Sequence, residues 1–393
     1  TLHNLHSRSL EDLEAELLEW SKRWPMALVL PCLYSELEQP ALARIVDELC
    51  KIDYLEEIII GLDRADESQF RYAKQYFDRL PQNKRILWQD GPGMMSIVAR
   101  LKDLGLAPKG RGKGCNVWYC FGYFLASGRS SGVALHDCDI QNYERDIVAR
   151  LLYPIMDPTF GFKFCKGYYY RASAGKLNGR VMRLLVSPIL KALRQMGADS
   201  EYLDFIDSFR YPLSGEFSMF RDVVSTIRIP NDWGLEIGVL SEIYRNYETT
   251  HVCQVDIADA YYHKHQPISA DNPEAGLSKM STDICRTFFR KLATSGQIFS
   301  PEFFRTLRAT YYRTALDFID HYHADAAMNG LTLDRHREEK TVELFAGNIT
   351  RAGEMFLNQS PELPFMPSWN RVLSAIPDIF RLLQNAVEQD NRD

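Results

Sequence analysis

The sequence contains no long apolar run and no paired cysteines. No stretch of about 18 uncharged apolar residues occurs in the 393 residues, so a membrane-spanning helix is not expected. The first 23 residues are charged and amphipathic, without the apolar centre of a signal peptide. The eight cysteines form no Cys-x-x-Cys pair, so neither a zinc site nor a disulfide framework is predicted. We therefore expect a cytoplasmic protein with reduced thiols and no membrane partner.

Positive charge is not in excess either. The chain has 46 Lys and Arg against 52 Asp and Glu, which gives a net charge of −6. Nucleic acid is therefore not expected as a partner, because its binding depends on neutralising phosphates with basic residues. The apolar content of 46% and the charged content of 25% are ordinary for a globular protein with one large core or two modest ones.

Two common nucleotide-binding fingerprints are absent. The first predicted strand ends in Pro31-Cys32-Leu33, where a dinucleotide-binding domain has G-x-G-x-x-G. Gly112-Lys113-Gly114 lacks the Ser or Thr that follows Lys in a P-loop, and it does not follow a strand. This glycine-rich loop precedes a predicted helix whose N-terminal N–H groups favour phosphate. A solvated basic loop is the alternative interpretation.

Strands and helices alternate four times before residue 140. Strands are predicted at 26–31, 57–63, 85–88 and 133–135, and the helices that follow a capped helix at 9–22 are predicted at about 39–51, 66–80, 93–104 and 115–127. This alternation predicts a parallel sheet with right-handed crossovers. Ligands of such sheets bind beyond the carboxyl ends of the strands, where Asp63, Lys113, Asp137 and Asp139 are expected.

The rest of the chain is predicted to be mostly helical. A strand within 160–171, a helix over about 178–196 and a strand at 252–257 are expected, and Glu216 and Glu236 are each expected at a helix start. From 275 onward the pattern predicts helices only, at 275–296, 301–323, 335–356 and 367–388. We expect an N-terminal helical extension (1–24), a catalytic domain (25–270) and a helical C-terminal region (271–393) that contributes to a homodimer.

Asp137 and Asp139 follow a short apolar strand one residue apart. Residues i and i+2 of a strand share a face, so both carboxylates can converge on one cation if the strand continues. If a turn begins there, one carboxylate can face a metal ion while the other faces a sugar. Such oxygen ligands suit Mg²⁺ or Mn²⁺ bridging a diphosphate. A strand that simply ends in polar residues is the plain alternative.

Two further groups of residues suggest ligand binding. His263 lies in a His-x-His sequence and can supply an imidazole ligand to a metal. Arg180 and Arg183 lie in the first turn of a predicted helix, where positive charge opposes the helix dipole unless an anion is bound. Pairing of both arginines with carboxylates elsewhere in the chain is the alternative.

Eight short motifs occur in an order that resembles the retaining, GT-A-type glucosyl-3-phosphoglycerate synthases. The motifs are Leu30-Pro31-Cys32-Leu33 with Glu36, Gly112-Lys113-Gly114, Asp137-Cys138-Asp139, Lys166-Gly167-Tyr168-Tyr169, Gly179-Arg180-Val181, Pro212-Leu213-Ser214-Gly215-Glu216, Trp233-Gly234-Leu235-Glu236-Ile237-Gly238 and His263. The resemblance spans about residues 25–270. It implies an α/β fold with a Rossmann-like, mostly parallel sheet flanked by helices, to which a helical C-terminal region is added.

The resemblance implies transfer of glucose, with retention, from UDP-glucose or GDP-glucose to 3-phospho-D-glycerate, with Mg²⁺ or Mn²⁺ as cofactor. The implied nucleotide-sugar contacts are Pro31, Cys32, Leu33, Ser35, Glu36, Asp63, Lys113, Asp137 and Cys138. The implied catalytic residues are Lys113, Asp137 and Glu236, the implied metal ligands are Asp139 and His263, and the implied acceptor contacts are Gly179, Arg180, Met182 and His265.

The sequence departs from the family pattern at two acceptor positions. Met182 replaces a threonine of the family, and His265 replaces an asparagine. A mannose donor or an unphosphorylated glycerate acceptor therefore remains an alternative. A sugar nucleotidylyltransferase is disfavoured, because its glycine-rich basic loop is absent after the first strand, and a non-catalytic sugar-nucleotide sensor is a further alternative.

Overall fold

The computed structural model describes residues 1–262, 272, 274–358 and 365–392. Its strands are β1 (Met26–Leu33), β2 (Leu55–Asp63), β3 (Asn83–Trp88), β4 (Gly132–Leu135), β5 (Phe164–Tyr169), β6 (Ala172–Ser173), β7 (Lys176–Leu177), β8 (Phe217–Phe220) and β9 (Val252–Ala258). Seven of them form one sheet in the order β3-β2-β1-β4-β8-β5-β9, and β6 pairs with β7 separately.

The helices surround this sheet. They are α1 (Leu10–Ser21), α2 (Pro40–Leu49), α3 (Glu67–Phe77), α4 (Pro92–Asp103), α5 (Lys113–Ser127), α6 (Asp146–Met156), α7 (Ser187–Gln195), α8 (Ser200–Asp207), α9 (Arg221–Thr226), α10 (Leu235–Asn246), α11 (Gly276–Thr294), α12 (Pro301–Met328), α13 (Arg335–Asn358), α14 (Trp369–Ala375) and α15 (Ile379–Asp390). Among the described residues, no helix combines the length and apolarity that crossing a bilayer requires.

The first four strands are parallel to one another, as predicted. Only β8 runs antiparallel to its neighbours β4 and β5, so the sheet is mostly parallel. The continuous apolar runs of β1 and β2 result from burial on both faces. Val29 and Ile59 pack into the core on the side of α5, whereas Leu28 and Ile58 pack into the core on the side of α2, α3 and α6.

The C-terminal helices pack against the sheet region through α5. Trp118 of α5 stacks on Trp369 of α14 with ring centroids 4.2 Å apart. A Cβ at Gly122 would lie 2.1 Å from the Trp369 ring, so this close packing requires glycine. Glu388 of α15 also pairs with Arg85 of β3, with a closest N–O distance of 2.8 Å. Helices α14 and α15 are thereby held beside the sheet.

Several predicted elements differ from those observed. Glu216 was expected at a helix start, but it directly precedes β8, whose four residues are too few to show a periodicity. The helix predicted over 367–388 is two helices, because Pro377 disfavours a helical conformation at Ile376. A π-helical turn (Met182–Val186) precedes α7 within the helix predicted at 178–196. The capped helix near the N-terminus is confirmed, since Ser9 Oγ accepts from the Asp12 N–H at 3.1 Å.

Candidate active site

The predicted site residues converge where the strand order changes direction. Strand β1 pairs with β2 on one side and with β4 on the other, and Leu33 and Asp63 are register partners at the carboxyl ends of β1 and β2. A crevice beyond these ends is the usual ligand site of such a sheet. Strand β4 ends at Leu135, so a turn delivers the two aspartates that follow it.

The centre of this site is an ion cluster formed by Lys113, Asp137 and Glu236. Lys113 Nζ lies 2.6 Å from Asp137 Oδ1 and 3.1 Å from Glu236 Oε1. The lysine begins α5 and the glutamate lies in the first turn of α10. Burial lowers the pKa of Lys113, but the two carboxylates outweigh this effect and raise its pKa well above the ordinary value. Lys113 is therefore a fixed positive charge in the crevice.

A buried loop, Ser214–Glu216, packs directly against this cluster. A Cβ at Gly215 would lie 2.7 Å from both Asp137 Oδ2 and Lys113 Nζ, so any other residue at this position would displace the charged groups of the cluster. Glu216 is fully buried and accepts a hydrogen bond from the Tyr261 hydroxyl. The sequence placed this motif within the family resemblance but assigned it no role.

The turn after β4 is fixed by a neutral histidine. His136 is fully buried, with Nδ1 2.9 Å from the Asp137 carbonyl oxygen and Nε2 3.1 Å from the Tyr143 hydroxyl. Burial lowers the pKa of His136 to about 4, so the imidazole is uncharged near neutral pH. Because β4 ends before Asp137, the two aspartates lie in a turn and not in a continued strand. Asp137 pairs with Lys113, and Asp139 lies two residues further along the turn.

The end of β1 meets the turn after β4 through two thiols, those of Cys32 and Cys138. A hydrogen bond to Cys32, together with burial, raises the pKa of Cys138 well above its ordinary value. Both thiols are buried, whereas the neighbouring Leu33 and Ser35 are exposed. Pro31 and Glu36 are half-buried. The segment predicted to contact the nucleotide, residues 31–36, therefore combines a buried strand end with an accessible turn.

Asp63 is held by a residue that sequence analysis did not select. Arg111, in the glycine-rich loop, pairs with Asp63 and also with Asp90, the latter at 2.7 Å. Hydrogen bonds to Asp90 and Asp63 raise the pKa of Arg111 against the effect of its burial. The loop is thus anchored to the carboxyl end of β2, which a solvated basic loop would not be.

Of the two predicted metal ligands, the structure describes Asp139 but not His263. His263 and His265 fall outside the described residues, and the described residues alone contain no group of three or more side chains placed to hold a metal. Asp139, half-buried, supplies an oxygen donor of the preferred kind. Gln141 N–H donates to the Tyr262 carbonyl at 2.7 Å, which holds the chain just before His263 beside the turn that carries Asp139. Of the predicted ligands, Asp139 therefore supplies a donor of the kind that fits Mg²⁺ or Mn²⁺.

The predicted acceptor residues that the structure describes, Gly179, Arg180 and Met182, lie before α7, in a segment that contacts helix α13. Gly179 has φ of +75°, a conformation that favours glycine, and Met182 is buried. Arg183 makes a two-point contact with Glu338, and Arg180 Nε lies 3.4 Å from the same carboxylate. Arg183 therefore pairs with a carboxylate elsewhere in the chain, as the alternative interpretation of these arginines expected. No local sequence signal identifies a partner that lies 155 residues away.

Arg180 remains a basic group with spare donors. It is half-buried, and burial together with Arg337 lowers the pKa of Arg180, although Glu338 opposes this. Within the described part of the chain, the Glu338 contact through Nε is its one ion pair. The terminal nitrogens of the guanidinium are therefore suited to a phosphate or carboxylate.

Comparisons with known proteins agree with these observations. No protein-family model matches the chain. The glucosyl-3-phosphoglycerate synthase of Persephonella marina is 44% identical over 393 residues, which cover 100% of this chain and 97% of that protein. The glucosyl-3-phosphoglycerate synthase of Methanococcoides burtonii is 39% identical over 374 residues, which cover 94% of this chain and 91% of that protein.

Solved structures provide an independent comparison of the fold. Glucosyl-3-phosphoglycerate synthase from Mycobacterium tuberculosis, in complex with Mn²⁺, UDP and glucosyl-3-phosphoglycerate, matches with a TM-score of 0.54 and 20% identity over 74% of this chain and 88% of that chain. The same protein with Mn²⁺, UDP-glucose and phosphoglyceric acid also matches with a TM-score of 0.54. This likeness confirms the predicted α/β fold with a mostly parallel, helix-flanked sheet.

Proposed function

The chain belongs to the glucosyl-3-phosphoglycerate synthase family of glycosyltransferases, and we propose that it transfers glucose with retention from a nucleoside diphosphate sugar to 3-phospho-D-glycerate. The observation that carries the proposal is the ion cluster of Lys113, Asp137 and Glu236 at the carboxyl edge of the sheet. The names of the two curated relatives support the same activity. UDP-glucose and GDP-glucose are both retained as candidate donors.

Lys113 is the residue of this chain that stabilises charge on the leaving diphosphate. Its ammonium is held by Asp137 and Glu236, so no reorganisation is needed when negative charge develops. It also begins α5, where the helix N-terminus adds favourable potential for phosphate. The remaining acceptor capacity of Asp137 and Glu236 suits the hydroxyl groups of the donor sugar.

A divalent ion is part of the proposal. The structure of the mycobacterial relative contains Mn²⁺ or Mg²⁺ with UDP. When bound, Mg²⁺ or Mn²⁺ neutralises diphosphate oxygens as a Lewis acid. We propose Asp139 and His263 as its protein ligands. The position of Tyr262 beside Gln141 supports this pairing, because it holds the described chain next to the Asp139 turn.

Retention is best explained by attack on the same face that the diphosphate leaves. A covalent intermediate needs a carboxylate that acts as nucleophile. Pairing with Lys113 stabilises the negative charge of Asp137 and Glu236 and so weakens both as nucleophiles. The leaving diphosphate is then the base that accepts the proton of the acceptor hydroxyl.

The acceptor is proposed to bind near Gly179, Arg180 and Met182, with His265 as a further contact. Arg180 supports an anionic acceptor, because it offers guanidinium donors close to the surface. Arg183, fully engaged with Glu338, supports the backbone of this segment instead. A phosphorylated glycerate is therefore favoured over free glycerate.

A matrix of donors and acceptors tests the proposal. Purified protein with Mg²⁺ or Mn²⁺ is incubated with UDP-glucose, GDP-glucose or GDP-mannose, each with 3-phosphoglycerate or glycerate, and both the sugar product and the nucleoside diphosphate are quantified. We expect a glucosylated phosphoglycerate with retained configuration. Nucleotide exchange between glucose 1-phosphate and a nucleoside triphosphate, or binding without turnover, would contradict the proposal. Sedimentation of the same sample tests the homodimer, which stays a prediction.

A further inference from the structure

One fully buried lysine lies beside the ion cluster and has no part in the proposal above. Lys166 lies in the middle of β5 and has no solvent exposure. Its Nζ donates to the Ser214 carbonyl at 2.5 Å. A buried ammonium is costly unless hydrogen bonds and opposite charges compensate it, so its retention at this position needs an explanation.

Lys166 is joined to the Ser214–Glu216 loop by several bonds. Ser214 Oγ donates to the Gly167 carbonyl at 2.5 Å, and the Gly167 N–H donates to the Glu216 carbonyl at 2.9 Å. This is the same loop whose Gly215 abuts Asp137 and Lys113. The position of the loop against the cluster therefore depends on Lys166 and Gly167 in the middle of β5.

The charges around Lys166 belong to four separate elements. Glu236 of α10, Glu216 before β8 and Asp137 after β4 attract its charge, and Lys113 of α5 opposes it. On the neighbouring strands its companions are uncharged: Gln254 is its register partner on β9, and the Phe217 ring of β8 lies 5.3 Å from Nζ. Lys166 and Lys113 are thus two ammonium groups that share these three carboxylates.

We propose that Lys166 is a positioning residue for the transferase site: its ammonium holds the Ser214–Glu216 loop against Lys113 and Asp137. This inference rests on the proposed function, because the cluster it supports is the one assigned to the leaving diphosphate. It unites two family motifs, Lys166-Gly167-Tyr168-Tyr169 and Pro212–Glu216, into one structural unit.

The protonation state of Lys166 offers a way to test its proposed positioning role. Burial lowers the pKa of Lys166 to about 8, although Glu236 and Glu216 oppose the shift. The ammonium is therefore present at neutral pH and is lost in mildly alkaline solution. Lys113 does not share this behaviour, because its own pKa is raised. A loss of activity near pH 8 that is absent from Lys166→Met would therefore report on Lys166.

The test compares Lys166→Met with Lys166→Arg and with a matched control, Lys163→Met. Lys163 lies three residues earlier, is partly exposed and pairs with Asp222 at 3.2 Å, away from the cluster. For Lys166→Met we expect kcat to fall by about tenfold to a hundredfold, the effect of misplacing reacting groups, with smaller changes in both KM values. Lys163→Met is expected to keep the kcat of the unaltered protein, and Lys166→Arg to recover part of it.

The pH profile separates positioning from a merely structural role. Measured over about pH 6.5 to 9.5, kcat of the unaltered protein should decline near pH 8, and Lys166→Met should lack that decline. A Lys166→Met protein with unchanged kcat and profile, even at lower melting temperature, would overturn the inference. If this variant does not fold, the unaltered protein decides, because a flat profile through pH 9.5 also overturns it.

A readout without substrate separates this inference from the proposed function. NMR of isotope-labelled lysine, with the Lys166 signal assigned from Lys166→Arg, should show a titration near pH 8, and a titration at the ordinary lysine value would overturn the inference. Absence of product from the unaltered protein with every donor and acceptor would count against the proposed function, whereas the NMR result would still stand.

Discussion

Arg183 and Glu338 form a buried two-point ion pair between the predicted acceptor segment and helix α13. Arg183 Nη1 lies 2.6 Å from Glu338 Oε2, and Nη2 lies 3.2 Å from Oε1. Both residues are almost fully buried, at 5% and 4% exposure. The C-terminal helices are therefore structurally coupled to the acceptor segment, since Glu338 also contacts Arg180.

Replacing Glu338 with alanine should destabilise the protein. Two arginines would lose their shared carboxylate, and a buried charge left without its partner typically costs about 3 to 5 kcal/mol. Urea unfolding at neutral pH measures the change. Glu339→Ala is the matched control, because Glu339 is only half-buried and pairs with the exposed Arg335 one turn away, and no measurable change is expected. Equal stability of the two variants would show that the buried pair is not stabilising.

Replacing Arg180 with alanine should weaken acceptor binding selectively. Loss of a charge-assisted contact of about 1.5 to 3 kcal/mol corresponds to roughly a tenfold to hundredfold higher KM for 3-phosphoglycerate. The KM for the nucleotide sugar should stay within about twofold, because Arg180 is assigned to the acceptor alone. Lys176→Ala, a loss of one exposed charge in nearby β7, is the control. Equal changes in both KM values would contradict the assignment of Arg180 to the acceptor.

Replacing Gly215 with alanine should impair catalysis more than stability. The new Cβ would lie 2.7 Å from Asp137 Oδ2 and from Lys113 Nζ, both ends of flexible side chains that can move aside. The fold is then kept while the ion cluster shifts, and kcat should fall by about a hundredfold. In the control Gly347→Ala the Cβ meets open space within α13, so stability should rise by about 0.5 to 1 kcal/mol with kcat unchanged. A fully active Gly215→Ala protein would contradict this account of the loop.

The sequence predicted the strands and the charged residues of the site better than the buried contacts that hold those residues in place. Strands β1 and β2 are readable because a strand buried on both faces is a continuous apolar run. The rule that ligands lie beyond strand ends brought Lys113 and Asp137 to the same edge, where they are found 2.6 Å apart. The role of Glu236 came from the family resemblance alone.

The parts that could not be predicted lack a local signal. Lys166 is a charged residue inside a strand, and its burial depends on carboxylates from three other elements. Glu338 pairs with Arg183, from which it is separated by 155 residues in sequence, and only the tertiary structure brings the two together. Arg111 resembles any basic loop residue until β2 and β3 place Asp63 and Asp90 beside it.

Replacing Asp139 with asparagine should weaken metal binding. The variant keeps the shape of the side chain but lacks the charge that a divalent ion requires. Electron paramagnetic resonance of Mn²⁺ in the presence of UDP should show affinity reduced by at least about tenfold. Asp157→Asn, at the end of α6 where Asp157 accepts from Thr159, is the control and should bind as before. Chelation of metal should abolish turnover of the unaltered protein, and activity that survives it would contradict the metal assignment.

Glu57 should make the protein less stable as the pH rises from about 4.5 to 6. Burial raises the pKa of Glu57 to about 6, so the folded state holds a proton that the unfolded state releases over this interval. The sign follows from that difference: above the folded pKa, the buried carboxylate is charged at a cost of about 2 kcal/mol relative to an unshifted group. Ser127 Oγ, which donates at 3.1 Å, offsets only part of this cost.

Glu57→Gln should therefore be more stable than the unaltered protein at pH 7.5 by up to about 2 kcal/mol and nearly equal to it at pH 4. Denaturant unfolding at both pH values measures this difference. Glu56→Gln is the control, because Glu56 is the preceding residue, is partly exposed and keeps its hydrogen bond from Asn83 as a glutamine. A stability gain that is the same at both pH values would mean that the amide acts through packing, and that the carboxyl of Glu57 does not titrate with a raised pKa.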